Sequence, residues 1–508
     1  MRRVWLYLPV AALLSIAPAV QAKESPADTP GCAGQSAKQC VDLALDAMGG
    51  REHLQQLKSV RLKTIGHTLL MEQSYRQAPF ITSYERGQTT LDLANQRVVT
   101  QSTITWPESD PNQPDVDTTV VVGPDGGVSR ERDADHPCGL SALDNGWQML
   151  ALGPSRLLLT AADAGDLHFE TPQTLRSTPH AVVAFTWRKI PVHVLLNSFN
   201  HLPDAVETTQ EFHDFWYFWG DVQQRIYFDN WKLAQGIVYP SNTVEERNGV
   251  VWHSTQALNI EFNVPFDEKA LAMDARAAKE SAASPGWNRP FRAEKPTTLA
   301  PGVDLYQAAW NSTIVKQSDG IVILEAPISG LYTQGVIEEA RKRYPGLPVR
   351  AVLSTSDSWP HTGGVRFAVS EGLPVYILDL NRPLLDKMVS APHRFDPDAL
   401  ENSKKAPRWK IVSEREVVGS GGNQVELYPL RGASTERQYM AYFPGSRLLY
   451  ASDTLALNDD GSLYDPQLMY EVAQAVQREH LRVDTVFAMH QGPMQWDQVL
   501  TLIEKSRH

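Results

Sequence analysis

The chain has 508 residues, of which 42% are hydrophobic and 21% charged, with 32 glycines, 34 prolines and three cysteines. This composition is typical of globular domains and excludes low-complexity and collagen-like chains. At roughly 100–200 residues per domain, the length predicts two to four domains. The formal charge of −12, with no long run of lysines and arginines, argues against nucleic acid or an anionic membrane surface as a partner.

Residues 1–22 have the pattern of a secretory signal peptide. A basic start at Arg2 and Arg3 is followed by a mostly apolar stretch, and a small-x-small pattern of the kind that signal peptidase reads ends at Ala22. We therefore predict cleavage after Ala22 and a periplasmic or secreted protein. No later stretch reaches the roughly 20 apolar residues of a membrane-spanning helix, so no integral membrane segment is expected after cleavage.

An exported protein can form a disulfide between two of its three cysteines. Cys32 and Cys40 lie eight residues apart in a short polar segment, whereas Cys138 lies far along the chain. We predict a disulfide between Cys32 and Cys40, with Cys138 unpaired. The spacing of the cysteines matches no standard zinc pattern, and no catalytic cysteine is expected.

Residues 23–280 are predicted to form an antiparallel β-rich domain that begins with a helix. Helical spacing over residues 41–48 ends at a Gly-Gly pair, and residues 59 to about 265 then read as successive short strands with turn signals such as Asn248-Gly249. A helical insertion is predicted over residues 140–164. This order of elements is similar to that of exported domains of the periplasmic lipoprotein-carrier type. The resemblance implies a curved sheet over an apolar cavity, and with it the binding of a hydrophobic ligand.

Residues 212–219 form an unusual aromatic cluster, since six of the eight side chains are Phe, Trp or Tyr. Such a cluster indicates either a buried strand pair or the rim of an apolar pocket. We favour plain packing over a ligand-binding role for it.

A second domain, of a different structural class, is predicted after residue 302. Residues 281–302 contain four prolines and little periodicity, and they are predicted to be a linker. Residues 303–508 alternate strands and helices, as in an α/β domain. Strands are predicted at 313–316, 320–326, 349–354 and 375–379, and helices at 333–344, 363–371 and 466–479. The whole chain is therefore predicted to be of the α+β class.

The most informative motif follows the strand predicted at 349–354. Residues 355–364 read Thr-Ser-Asp-Ser-Trp-Pro-His-Thr-Gly-Gly. This segment resembles the metallo-β-lactamase fold family, in which a strand ends in Thr-His-x-His-x-Asp-His followed by x-Gly-Gly and a helix. Thr355, His361 and the two glycines stand at the expected positions. Ser356 and Ser358, however, replace two metal-binding histidines, and Pro360 replaces the aspartate.

Other segments extend this resemblance over about residues 300–505. Residues 448–454 are similar to the strand that ends in the family's bridging aspartate, here Asp453, and residues 489–493 are similar to the last ligand loop, here with His490. Residues 430–436 take the place of the Gly-His-Thr loop, with Ser434 at the position of its histidine. The resemblance implies a C-terminal αββα sandwich in which three of seven ligand positions survive, His361, Asp453 and His490.

The three surviving positions are those that can face the family's second metal. Two imidazoles and one carboxylate form a competent zinc set, able to lower the pKa of a bound water towards neutrality. The resemblance therefore implies an exported hydrolase with a single zinc at His361, Asp453 and His490. Its substrate would be a small molecule with an ester, lactone or amide bond.

Two alternatives stay open. Serine is a poor zinc ligand, and the residue replaced at Pro360 would have bound metal or oriented water. The protein is therefore equally interpretable as a metal-free pseudoenzyme, or as a non-catalytic binding protein for an apolar ligand. A serine nucleophile is also conceivable, because Ser356, Asp357 and Ser358 lie close to His361 in sequence. No Gly-x-Ser-x-Gly elbow surrounds these serines, and capping of the following helix is their simpler role.

Overall fold

The computed structural model describes residues 28–71, 78, 80–106, 114–131, 134–284, 286–292 and 294–506. The predicted signal peptide and its cleavage site at Ala22 lie outside these residues. Among the described helices, none combines the length and the apolar character that are needed to cross a bilayer.

The described chain begins with a disulfide-linked helix. Helix α1 (Ala37–Ala47) starts with a capping box, in which Ser36 Oγ accepts from the Gln39 N–H at 3.2 Å and Gln39 Oε1 accepts from the Ser36 N–H at 2.8 Å. Cys40 on this helix is bonded to Cys32, which confirms the predicted disulfide. Cys138 is a free, buried thiol. Helix α2 (Arg51–Gln55) follows the Gly-Gly pair.

The β-rich half contains thirteen strands in one sheet. Their bounds are β1 Ser59–Leu69, β2 Thr82–Asp92, β3 Arg97–Thr105, β4 Val116–Gly123, β5 Gly126–Glu131, β6 Ala134–Pro137, β7 His168–Leu175, β8 Thr178–Trp187, β9 Ile190–Asn197, β10 Pro203–Gln210, β11 Val222–Ala234, β12 Ile237–Arg247 and β13 Val250–Phe262. The spatial order runs from β6 back to β1 and then from β13 back to β7, and the strands at the centre pair antiparallel. Consecutive strands are therefore sheet neighbours except for β6 and β7, which form the two edges, and β1 pairs with β13 at the centre.

The tight turn between β12 and β13 has the geometry that its sequence favours. Asn248 and Gly249 have φ angles of 48° and 77°, as a two-residue hairpin of the primed type requires. Helices α3 (Leu140–Leu152) and α4 (Leu157–Asp163) lie between β6 and β7 in the chain, where the helical insertion was expected. They pack with α1 on the sheet, and Leu45, Leu143 and Leu157 are fully buried between them.

The predicted linker is packed against the protein. Helices α5 (Glu268–Leu271) and α6 (Ala275–Ala282) lie against strands β3 to β5, so the interval 281–302 begins at the end of a helix. Trp287 and Phe291 within the interval pack against the C-terminal core, and its last residues form a strand, Thr297–Ala300. The domain boundaries at residues 280 and 303 stay predictions.

Two further sheets form the C-terminal half. The seven-stranded sheet contains, in spatial order, β14 Thr297–Ala300, β15 Val303–Tyr306, β16 Ser312–Lys316, β17 Ile321–Leu324, β18 Val349–Leu353, β19 Pro374–Leu378 and β20 Arg408–Val412, and it is parallel from β17 onwards. The six-stranded sheet contains β21 Glu416–Val418, β22 Val425–Pro429, β23 Tyr439–Phe443, β24 Leu448–Tyr450, β25 Thr485–Phe487 and β26 Met494–Gln495, with β24 and β25 parallel.

The two sheets pack face to face with helices on their outer faces. Leu324, Leu353 and Phe443 are fully buried in the core between the sheets. The seven-stranded sheet is covered by α7 Gly330–Arg343, α8 Trp359–Thr362, α9 Val365–Ser370, α10 Arg382–Ser390 and α11 Ala399–Ser403. The six-stranded sheet is covered by α12 Pro466–Arg478 and α13 Trp496–Lys505, the second of which the sequence analysis missed. This is an αββα sandwich, the architecture expected for this half.

The aromatic segment 212–219 forms neither a strand pair nor a pocket rim, but packs the two halves together. It lies between β10 and β11 and contains a short 3₁₀ turn at Tyr217–Trp219. Phe215 stacks on Trp359 of the sandwich with ring centroids 4.9 Å apart. Tyr217 reaches Gly363, where a Cβ atom would lie 2.2 Å from Tyr217 Oη and 2.0 Å from the Ile328 carbonyl oxygen. The glycine is therefore required by the close approach of two other segments.

Gly363→Ala is expected to lower the free energy of unfolding by about 1–3 kcal/mol, because the added methyl group overpacks this contact. Thermal and urea unfolding of the full chain measure the change. Gly422→Ala is the control, since a Cβ there meets no atom within 4 Å. Equal stability of the two variants would contradict the packing described for the aromatic segment.

Candidate functional site

The candidate site of the sandwich lies where strands of both sheets end. Glu325 follows β17, and the loop that leads to His361 follows β18. Asp453 follows β24, and His490 lies beyond β25. Because β17 and β18 are parallel, as are β24 and β25, their carboxyl ends meet at one edge of the sandwich. Functional groups of α/β folds commonly gather at such an edge.

Four of these side chains form a linear set that we call the charge chain: Glu325, His361, Asp453 and His490. His361 Nδ1 lies 2.9 Å from Glu325 Oε2, and His361 Nε2 lies 3.7 Å from Asp453 Oδ2. Asp453 Oδ1 lies 3.0 Å from His490 Nε2. The opposite nitrogen of His490, Nδ1, lies 2.9 Å from the Ala309 carbonyl oxygen. Carboxylate and imidazole therefore alternate, and the three predicted site residues come together.

The charge chain is buried at one end and opens at the other. Glu325 and His361 have no exposed surface, the Asp453 side chain is 10% exposed, and the His490 side chain is 34% exposed. Burial disfavours the charged imidazolium, but the carboxylates of Glu325 and Asp453 outweigh it and raise the pKa of His361 to about 10. Burial likewise opposes charging of His490, but Asp453 outweighs it and raises the pKa of His490. Although burial opposes it, the two histidines hold the pKa of Asp453 well below its usual range.

Glu325 is the member that the sequence analysis missed, and the local backbone holds it in place. Its φ is 74°, and that of Ser452, beside Asp453, is 59°. Non-glycine residues in this left-handed region are strained, and they are commonly found at functional sites. The Thr355 hydroxyl contacts Glu325 Oε1 and lies 2.7 Å from Ser452 Oγ, so it joins the two strained positions. In the sequence, Glu325 could have been recognised as a carboxylate that directly follows the apolar run Ile321–Leu324.

The serine positions of the motif do not form a nucleophile arrangement in the described residues. The Ser358 N–H donates to Ser356 Oγ at 3.2 Å, and the two hydroxyl oxygens lie 3.4 Å apart. Asp357 does not orient His361 but forms a fully buried ion pair with Arg437. Ser358 is the N-cap residue of α8 without a side-chain capping bond. Arg437 is therefore a second buried cation beside the charge chain.

The two remaining replaced positions have structural roles. Pro360 lies in the first turn of α8, where proline is well tolerated. Ser434 lies on a loop that is tied to α12, because its backbone N–H donates to the buried Glu471 carboxylate at 3.1 Å. Thr435 Oγ1 donates to the same carboxylate at 2.7 Å. Neither position takes part in the charge chain.

The placed residues do not fit a bound zinc ion. Within the described part of the chain, no three His, Cys, Asp or Glu side chains form a group that could hold a metal. Both ring nitrogens of His490 are engaged, one with Asp453 and one with the Ala309 carbonyl. Positions 356, 358 and 434 carry serine, which is a poor zinc ligand. The predictions of a zinc ion and of a hydrolase therefore stay predictions.

A second candidate site is a cavity of about 420 Å³ between α3 and the thirteen-stranded sheet. Its lining changes in character along the strands. On β12, the inward positions run from Tyr239 through Ser241 and Thr243 to Glu245. Leu91, Leu152 and Phe228 belong to the apolar part, and Glu85, His253 and Gln224 to the polar part. The cavity therefore has an apolar end and a polar end.

The polar end is organised by hydrogen bonds across several strands. Glu85 on β2 reaches across Gly66 of β1 to His253 on β13, and Glu85 Oε1 lies 2.7 Å from His253 Nε2. A Cβ at Gly66 would lie 2.8 Å from Glu85 Oε1, so this glycine leaves room for the pair. Although burial opposes both shifts, the ion pair lowers the pKa of Glu85 and raises that of His253.

No protein-family profile and no curated protein matches this chain. Among solved structures, it is similar to DIM-1 metallo-β-lactamase, at 14% identity over 43% of this chain and 99% of that one, with a TM-score of 0.33. A metallo-β-lactamase from Pontibacter korlensis is 20% identical over 41% of this chain and 98% of that one, with a TM-score of 0.32.

The inverting sec-alkylsulfatase Pisa1 from Pseudomonas sp. is 14% identical over 41% of this chain, with a TM-score of 0.31, and the match spans only 40% of the sulfatase. At these values the similarity concerns part of the chain and indicates no activity. The sandwich architecture described above is defined by its own strand order and packing.

Glu325→Gln is expected to lower the free energy of unfolding by about 3–5 kcal/mol, because it leaves the buried His361 charge without its closest partner. The effect depends on pH. The pKa of His361 is raised from 6.5 to about 10 on folding, so the stabilisation is complete below pH 6.5 and is lost as the pH rises through about 10. Urea unfolding of both proteins across this range measures the difference.

Glu280→Gln is the matched control, since Glu280 pairs with Arg276 on the surface. It is expected to leave stability unchanged at every pH. A loss of stability in Glu325→Gln that stays constant up to pH 11 would contradict a charged His361.

Proposed function

We propose that the protein is an exported binding protein, in which the β-rich half holds a small amphipathic molecule and the αββα half serves as a metal-free scaffold. The observation that carries this proposal is the cavity of about 420 Å³ between α3 and the sheet. Small-molecule sites typically have volumes of about 300–1,000 Å³, with mostly apolar walls and a few polar groups. A ligand with an apolar body and a polar head fits both ends of this cavity.

Export is supported by the chemistry of the cysteines. The Cys32–Cys40 disulfide forms and persists in oxidising compartments such as the periplasm or the extracellular space. The signal-peptide pattern of residues 1–22 supports the same localisation.

The metal-free state of the sandwich is supported by the charges at its strand ends. Two buried carboxylates need compensating positive charge, and a bound cation is one way to supply it. In this chain, His361 lies between Glu325 and Asp453, and Arg437 pairs with Asp357. Side chains of the protein therefore supply the positive charge at this edge.

Thr255→Trp is expected to weaken binding of the neutral fluorescent probe N-phenyl-1-naphthylamine at least about tenfold, because the indole fills the cavity from a lining position on β13. Gln256→Trp is the control, since its side chain is exposed on the other face of the same strand. Fluorescence titration of both variants and of the wild type measures the change. Unaltered binding in Thr255→Trp would exclude this cavity as the binding site.

A single-zinc hydrolase is the second candidate function, and one observation favours it. His361 Nε2 is buried with no hydrogen-bond partner among the described residues, and it faces Asp453 Oδ2 at 3.7 Å. Donor atoms around a tetrahedral zinc lie roughly 3.3 Å apart, given bonds of about 2.0 Å. The bond cleaved would be an ester, lactone or amide.

The zinc content of the purified protein distinguishes a metal-free binding protein from a single-zinc hydrolase. Protein incubated with zinc and then desalted is expected to hold no stoichiometric metal, and hydrolysis of a p-nitrophenyl ester is expected to be the same with and without EDTA. Stoichiometric zinc that is lost in His361→Ala and kept in His168→Ala, a variant of an exposed histidine on β7, would favour the hydrolase. Elemental analysis of the three proteins decides the question.

A further inference from the structure

The ionisable groups of the cavity wall are mostly acidic. Among the described residues, the lining contains Glu85, Glu245 and His253 but no lysine or arginine. Arg247 is the next inward position on β12, yet it is fully buried and does not line the cavity. Its guanidinium lies behind Glu245, between the rings of Phe212 and Trp252 at 3.8 and 3.5 Å.

The positive charges of this region do not balance its carboxylates. Arg247 is shared between Glu245, at 2.8 Å, and Asp214, at 2.5 Å, so one guanidinium faces two carboxylates. Even with His253 protonated, it neutralises only Glu85. Three carboxylates, Glu85, Glu245 and Asp214, therefore face Arg247 and His253, so these five groups have a net negative formal charge.

Both carboxylates of the wall also keep one oxygen for a ligand. The hydrogen bonds that Glu245 accepts from Gln224 and Arg247 both fall on Oε1, at 2.7 and 2.8 Å. Glu85 likewise meets His253 through Oε1. No described residue bonds to Oε2 of either carboxylate, so these two atoms can accept from N–H donors of a bound molecule, whereas an anionic head would meet two charges of its own sign there.

The apolar end and the polar end of the cavity lie far enough apart for one ligand to place its tail at the first and its head at the second. Tyr239 and Glu245 are six residues apart on β12, which corresponds to roughly 20 Å of strand. Leu91 and Leu152 line the end near Tyr239. Acidic and apolar groups are therefore separated along one axis of the cavity.

We propose that the cavity selects a cationic amphiphile, a molecule with an ammonium or amidinium head at Glu245 and Glu85 and an apolar tail towards Tyr239, and that it rejects anionic amphiphiles. This inference rests on the proposed function, because it specifies the ligand of the same cavity. Long-range attraction and the two carboxylate Oε2 atoms favour the cation, while the described part of the wall offers no lysine or arginine to a carboxylate or phosphate head.

Three probes with the same tail and different heads test the proposal: decylamine, decanol and decanoate. Each competes with N-phenyl-1-naphthylamine for the full chain at neutral pH. We expect decylamine to bind about tenfold more tightly than decanol, and decanoate to bind most weakly. Glu245→Gln is expected to remove the preference for decylamine over decanol. Glu246→Gln is the control, since Glu246 lies on the other face of β12 and bonds to Tyr227.

The ranking of the three probes on the wild-type protein needs no variant, so misfolding of Glu245→Gln would leave the test intact. Equal affinities, or a preference for decanoate, would overturn the head-group inference while the proposed binding function stands. Failure of the fluorescent probe and of all three competitors to bind would overturn the proposed function itself.

Discussion

The compensation of buried carboxylates by cations of the protein itself holds the edge of the sandwich together. Glu325 and Asp453 come from strand ends in different sheets, and His361 lies between them without exposed surface. Removing one partner from such a set leaves an unpaired buried charge, which is far more costly than loss of a surface pair. Glu325 and Ser452 both have left-handed backbone, and the Thr355 hydroxyl contacts both side chains. The contacts that stabilise this edge are therefore also the contacts that position the side chains of the site.

This edge is connected to the β-rich half through the aromatic segment 212–219. Phe215 stacks on Trp359, two residues before His361, and Tyr217 packs against Gly363, two residues after it. At its other side, Asp214 pairs with Arg247, which lies directly behind the polar end of the cavity. A continuous set of packed side chains thus links the two candidate sites, and the relative position of the two halves is fixed by contacts rather than by the length of a linker.

Local patterns predicted most elements but few of the site's contacts. The strands, the Asn248-Gly249 turn and the disulfide follow from periodicity, turn chemistry and cysteine spacing. Helix α13 could have been predicted as well, because Trp496, Val499 and Ile503 recur at helical spacing. The pairing of Asp357 with Arg437 could not, since 80 residues separate them and only the strand order brings them together. The motif therefore drew attention to His361 but could not show that its partner is Glu325.

The cavity shows how a strand's alternation can set ligand chemistry. Every second residue of β12 faces inward, from Tyr239 to Glu245, and the same face continues to Arg247. If Arg247 were open to the cavity, it would offer a binding group for anions. Because Phe212 and Asp214 of the aromatic segment cover it, its charge is used within the protein and the cavity keeps its acidic character. The segment that joins the two halves therefore also determines the sign of charge that a ligand meets.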